Sequence, residues 1–431
     1  MTKRMLLAVL LLIVFALPAG CQKQGGEPTQ PTAPAPTILP TPTPEPSPTP
    51  TPDPVGEALA GMTVEQKAAQ LLVAGIEGTE PGEDAVQAVQ GYQVGGVILF
   101  GRNVESAEQL AALTNGLKEL NGDYTPLFLC VDQEGGRVDR MPPEVSRTPS
   151  AWSVGQTLDT EGVGVSYGEL LAAECAAFGF NMDFAPSLDI WSNPDNTVIG
   201  DRAFGNDWEW TAFFGMSAVE GMEKQGTVIP VVKHFPGHGD TAVDSHTALP
   251  VVDKTLEDLW QSELVPFDMV LSGQFWGEPV MEPAPAVMVA HILLSQIDPD
   301  NPASLSPEVV TGLLREEMGY EGVVCTDDLT MGAISNTYGM GEAAVLAVEA
   351  GCDLLLVCHS ADNLAAAHAA LVDAVDSGRI SMERLDESVY RVLSLKAVYG
   401  LSNAPVEAPD IKALNDRIAA LERSIEADTS Q

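Results

Sequence analysis

Eight short, near-continuous apolar runs recur along this chain, at residues 69–74, 96–100, 127–132, 182–190, 228–234, 286–291, 322–327 and 353–359. A run that is apolar at successive positions, rather than at alternate ones, reads as a strand covered on both faces. Such strands belong to parallel sheets wrapped in helices. Helical patterns separate them, at 106–120, 164–178, 207–224, 256–271, 307–318 and 363–376, and an amphipathic pattern over 381–399 closes the body. Eight strands, each followed by a helix, predict an α/β fold of the (β/α)8 TIM-like barrel type. It occupies residues 55–400 as a single domain, with a helical tail over 401–431. An open doubly wound sheet is the competing architecture, but no G-x-G-x-x-G turn follows any of the runs.

The front of the chain lies outside this pattern. Lys3 and Arg4 precede an apolar stretch at 5–17, too short to span a bilayer, and Pro18-Ala19-Gly20 supplies the small residues of a cleavage site. Cys21 follows directly, and residues 1–21 resemble a bacterial lipoprotein signal whose cysteine becomes the lipidated N-terminus. Residues 22–54 form a linker in which Thr and Pro alternate, and twelve of the 32 prolines fall between Glu27 and Pro54. Proline removes backbone donors and the segment has no apolar periodicity, so it reads as an extended tether. The expected location is the outer face of the cell membrane, anchored through Cys21, with plain secretion as the alternative.

The net charge of −40, from 21 Lys and Arg against 61 Asp and Glu, speaks against nucleic acid as a partner, because phosphate contacts need clustered cations. Beyond Cys21 there are five cysteines, at 130, 175, 325, 352 and 358. An odd count with no C-x-x-C spacing reads as buried thiols rather than a disulfide framework or a zinc site.

Polar residues gather where the apolar runs end. The third run leads into Asp132-Gln-Glu-Gly-Gly-Arg137, the fourth reaches Asp189, the fifth ends on Lys233-His234, the sixth on His291 and the seventh on Asp327-Asp328. In a barrel those carboxyl ends form the face that carries chemistry. The densest stretch runs from Lys233 to His246 and holds His234, His238 and His246, half of the six histidines, together with Asp240 and Asp244.

Asp327 and Asp328 are adjacent, so along a regular strand their side chains diverge. One can serve as nucleophile or electrostatic partner while the other caps the next element; both acting as caps is the bland alternative. Asp244-Ser245-His246 lets a carboxylate reach an imidazole within one loop, which fixes the tautomer and suits acid/base work near neutral pH. A metal site from His238, Asp240, Asp244 and His246 is a weaker reading, since the first strand offers no paired histidines. A serine triad on Ser245 is weaker still without a G-x-S-x-G elbow. Asp132, Arg137, Arg140, Arg202 and Lys233 are strand-end or loop charges suited to hydroxyls and carboxylates, with structural salt bridges as the alternative, above all for Arg137. Trp191, Trp208 and Trp210 could stack on a sugar or simply pack.

With those residues in view, the chain resembles family-3 glycoside hydrolases of the β-N-acetylglucosaminidase branch over about residues 59–399. The motifs are Val131-Asp-Gln-Glu-Gly-Gly-Arg-Val138, Gly200-Asp-Arg-Ala-Phe-Gly205, Lys233-His-Phe-Pro-Gly-His-Gly239, Asp244-Ser-His246 and Thr326-Asp-Asp-Leu-Thr-Met331. The resemblance implies a retaining exo-β-N-acetylglucosaminidase that needs no cofactor or metal, acting on carbohydrate such as peptidoglycan fragments. It makes Asp327 the nucleophile, His246 the acid/base and Asp244 its partner, and it gives Asp132, Arg140, Arg202, Lys233 and His234 the task of holding the sugar. His238 receives no role. The tail is expected to end the chain without the second α/β domain of some relatives. A β-glucosidase-type or phosphorolytic relative, or a non-catalytic sugar-binding lipoprotein, remain the competing functions.

Overall fold

The structure is a computed structural model that describes residues 53–160, 162–241, 245 and 248–430. The signal segment with Cys21, the linker up to residue 52, and both Asp244 and His246 lie outside the described residues.

Eight parallel strands close on themselves: β1 (Leu72–Gly75), β2 (Gly96–Ile98), β3 (Phe128–Val131), β4 (Met182–Asp183), β5 (Ile229–Phe235), β6 (Ala286–Val289), β7 (Val323–Asp328) and β8 (Leu354–Val357). Each pairs with its neighbours in chain order. β1 closes the ring by pairing with β2 through Val73–Gly96 and with β8 through Leu72–Leu355. The open-sheet alternative is thereby excluded. Every expected run contributes a strand, because residues buried on both faces leave little polar surface for another placement. All five cysteines of the body are free and buried within this core.

The departures are local and have local causes. Ala69 and Gln70, read as the start of the first strand, form the last turn of the helix Val64–Gln70. A capping box between Thr63 and Gln66 starts that helix and outweighs the apolar run. The fourth strand is cut to Met182–Asp183, since Pro186 can donate nothing to a ladder. Residues 256–271 form two helices, Leu256–Leu259 and Leu264–Ser272. Pro266 sits in the first turn of the second, where a missing N–H costs least. The helix Glu308–Glu317 is wound as a π-helix.

Beyond the barrel, the helix Ile411–Thr429 lays Leu414, Ile418 and Leu421 against the core, and Arg417 donates to the carbonyl of Glu169 on the helix Val163–Ala177. At the amino ends of the strands, buried Asp353 gathers three arginines. Arg315 Nη2 lies at 2.5 Å, Arg391 Nη1 at 3.2 Å and Arg384 Nη2 at 3.7 Å, while Ser388 and the Val324 N–H also donate to its carboxylate. Removing the shared anion leaves three guanidinium groups facing one another. Asp353→Ala should therefore cost about 3–5 kcal/mol in urea unfolding, and a loss under about 1 kcal/mol would show that the arginines find water instead.

Candidate active site

At the carboxyl ends of the strands the barrel opens into a cavity of about 510 Å³, within the range of small-ligand pockets. Asp132, Arg140, Arg202, Lys233, His234 and Asp327 all line it. These are all of the candidate sugar-binding and catalytic residues that the structure describes, drawn from β5, β7 and the loops after β3 and β4.

The loop after β3 folds back sharply because Gly135 and Gly136 take left-handed backbone (φ 70° and 54°). A Cβ on Gly136 would sit 2.6 Å from that of Ser150. This fold-back aims Glu134 into the site. Lys233 Nζ, buried at the end of β5, lies 2.7 Å from Asp132 Oδ1 and 2.6 Å from Glu134 Oε1. Glu134 also accepts both arms of Arg202 at 2.8 Å. Burial pushes the Glu134 carboxyl up, but the adjacent Arg202 and Lys233 overcome it and hold the group ionised, well below the usual carboxylate range.

Arg202 Nη2 lies 3.1 Å from His234 Nε2. A guanidinium can only donate, so Nε2 accepts and the ring proton sits on Nδ1, which donates to Asp189 Oδ2 at 2.6 Å. Asp189 also accepts from the His238 N–H and the Ser187 hydroxyl. Although burial raises its pKa, the hydrogen-bonded His234 ring and the His238 N–H pull the Asp189 carboxyl below its ordinary value.

His238 is committed on both ring nitrogens, with Thr241 Oγ1 at 2.8 Å from Nδ1 and Ser245 Oγ at 3.1 Å from Nε2. Burial, and then the neighbouring His234, lower its pKa, so it favours the neutral form. Its nitrogens are spent on hydroxyls, which disfavours it as a metal ligand. Ser245 is held a second time, its carbonyl accepting the Ala333 N–H at 3.1 Å. His238 thus fastens the residue that separates Asp244 from His246.

The two carboxylates of β7 differ. Asp328 accepts from the Thr330 N–H and hydroxyl and from the Cys358 N–H. Asp327 Oδ1 accepts the Asp328 N–H at 2.8 Å. Burial works to raise the Asp327 pKa, but the imidazoles of His291 and His234, that N–H and Lys233 bring it below the ordinary value. Both carboxylates reach the cavity wall rather than diverging, because the β7–β8 register shifts between Cys325 and Asp328.

Arg137 is structural: it donates to the carbonyls of Thr197, Val198 and Ile199 and pairs with Asp201, fixing the turn that carries Arg202. Trp191 is likewise engaged, its Nε1 donating to the Asn196 carbonyl. Glu134, given no role from the motifs, and Asp189, marked only as the polar end of the fourth run, both join the network around the cavity. Glu134 follows Asp132 by two residues, a strand-like spacing that could have marked it as facing the same way.

The chain is similar to known proteins in both sequence and fold. The family model described as the glycosyl hydrolase family 3 N terminal domain matches residues 63–395. A beta-hexosaminidase of Nitrosomonas eutropha is 33% identical over 330 residues, covering 75% of this chain and 91% of the relative. Beta-hexosaminidase A of Pseudoalteromonas piscicida is 33% identical over 341 residues, and the match spans 74% of this chain but only 56% of that protein. A family 3 beta-N-acetylglucosaminidase from Paenibacillus sp. FPU-7 superposes with a TM-score of 0.76 at 42% identity, over 84% of this chain and 68% of that one. Fold and site together define a glycoside hydrolase. The chain belongs to glycosyl hydrolase family 3, on its β-N-acetylhexosaminidase branch.

Behind the cavity, Gln133 accepts the Arg140 N–H and donates to Glu174, which also meets the Thr148 hydroxyl. Burial pushes the Glu174 pKa to about 8 from an ordinary 4.5. The folded state keeps a proton that the unfolded chain has lost, so stability falls as pH rises through that window. Glu174→Gln, neutral at every pH, should flatten the dependence when urea unfolding is compared at about pH 5 and about pH 8.5; parallel slopes in both proteins would refute the assignment.

Proposed function

We propose that the protein is a retaining exo-β-N-acetylglucosaminidase that removes terminal N-acetylglucosamine from peptidoglycan fragments, tethered outside the cell through a lipidated Cys21. The observation that carries the mechanism is the division of labour on β7. Asp328 is taken up by three donors, whereas Asp327 lines the cavity with its charge stabilised by His291, His234 and Lys233. A carboxylate that stays ionised can attack the anomeric carbon and form a glycosyl-enzyme ester, which water then opens with net retention.

The leaving oxygen needs a proton, assigned here to His246 with Asp244 orienting its ring. Support comes from the anchored Ser245 between them, which lines the same cavity as Asp327. Asp132, Arg140, Arg202, Lys233 and His234 hold the sugar. The fixed donors on Lys233 and Arg202 suit hydroxyls and an amide carbonyl, and they are already charge-balanced by Glu134, so no large reorganisation accompanies binding.

Three measurements test the reading. The aryl N-acetylglucosaminide should release nitrophenol with no requirement for phosphate and much faster than the aryl glucoside. A phosphate requirement, or preference for the glucoside, would replace this assignment with a phosphorolytic or β-glucosidase one. Asp327→Asn should abolish turnover; surviving activity would shift the nucleophile to Asp328. His246→Gly should slow poor leaving groups by about 10²–10⁴-fold while activated aryl glycosides suffer less. It should also remove the alkaline limb of the pH profile and leave the acid limb. Equal losses on both substrates would rule out the acid role.

A further inference from the structure

One side of the barrel carries an aromatic surface that the site does not use. Five of the chain's six tryptophans belong to it or to its connection with the cavity: Trp152, Trp191, Trp208, Trp210 and Trp276. Trp191 meets Trp152 edge-on at 5.2 Å, and its backbone N–H donates to the carbonyl of Gly205, three residues beyond the cavity-lining Arg202. Trp208 then opens the helix Trp208–Glu223 and meets Trp276 edge-on at 5.6 Å. Trp210 stacks on Phe214, with Phe213 beside them.

Trp276 is the outermost of these. It occupies the tip of a small hairpin, Gln274–Phe275 against Glu278–Pro279, and is 68% exposed. Both tip residues, Trp276 and Gly277, have left-handed backbone (φ 52° and 82°). Asn or Gly is the ordinary choice at the first of these positions, and a bulky aromatic is disfavoured there. A large apolar side chain kept in a costly conformation and turned to solvent points to a use for its face. Between hairpin and helix runs a groove of about 250 Å³, walled by Phe213, Met216, Phe275 and Val280.

We propose that this surface docks a polymeric β-linked N-acetylhexosamine strand while its end is processed in the cavity. The inference rests on the glycan-hydrolase reading above and adds a second contact zone to it. Flat, rigid aromatic faces match the C–H faces of sugar rings, and the series from Trp276 through Trp208 to Gly205 and Arg202 joins the surface to the cavity. A lipid surface is the poorer fit. The charge within and beside the patch is mainly acidic, with Glu209, Glu220 and Glu278, and Lys224 is paired with Glu220, so the Lys and Arg fringe that headgroups attract is not formed.

The test uses the full chain carrying Cys21→Ser, so that no acyl group contributes, with and without Phe275→Ala/Trp276→Ala. The chain with Phe275 and Trp276 intact should be retained on insoluble β-1,4-linked N-acetylglucosamine polymer. The double variant should lose about tenfold or more in retention, with kcat/KM on the aryl N-acetylglucosaminide within about twofold. Trp276→Tyr should restore much of the binding. Unchanged retention in the double variant overturns the proposal. So does loss of sedimentation with phosphatidylcholine vesicles, or conversion of a dimer to a monomer, with glycan retention intact. If the aryl substrate is not cleaved at all, it is the hydrolase assignment that fails.

Discussion

The buried Lys233 ammonium organises the catalytic face. It is buried at the end of β5 and satisfied by two carboxylates from the β3 end, Asp132 and Glu134. Burial alone would lower its pKa, but those two neighbours reverse the sign and keep it charged. A buried cation with partners on another strand end fixes the spacing between the two, since breaking either contact strands a charge in low dielectric. Glu134 extends the constraint to Arg202, Arg202 to His234, and His234 to Asp189 beyond β4. Three strand ends and the turn at Gly200–Arg202 are thus set by one connected series of charged and polar groups.

That series is also directional. Arg202 has no acceptor to offer, so the proton of His234 must face Asp189, and Asp189 in turn orients the backbone of His238. His238 turns the same geometry outward to Ser245, so the loop carrying the proposed acid/base pair is referenced to the residues proposed to hold the sugar. Preorganisation of this kind matters because a donor already aimed at the transition state contributes without rearranging during the reaction.

Much of this was legible in the sequence. All eight strands lay in the apolar runs, because burial on both faces leaves little else in such a segment. Asp132, Lys233, His234 and Asp327 stood out as charge at the ends of those runs. What was not legible follows from chemistry that a pattern cannot display. Glu134 resembles any loop glutamate until its partners, Lys233 and Arg202, distant in sequence, are brought to it. Asp189 sits past Pro186 in a stretch that reads as strand but cannot complete a ladder. Arg137, already set apart from Arg202 as the more suited to a structural role, is spent on three carbonyls, but which carbonyls could not be read from the chain.

The irregular ends of β5 and β7 explain how adjacent residues can share one site. In a regular strand, Lys233 and His234, or Asp327 and Asp328, would face opposite sides. The β5–β6 register shifts between Val232 and Phe235, and the β7–β8 register between Cys325 and Asp328, so each pair falls within an irregularity. At both places two consecutive side chains reach the same cavity. The local disruption costs ladder hydrogen bonds, and side chains and turns replace them. Asp328 accepts the Cys358 N–H at the end of β8, and Asp327 accepts the Asp328 N–H. Asp328 therefore stands in for missing sheet, and its engagement there is what favours Asp327 as the proposed nucleophile.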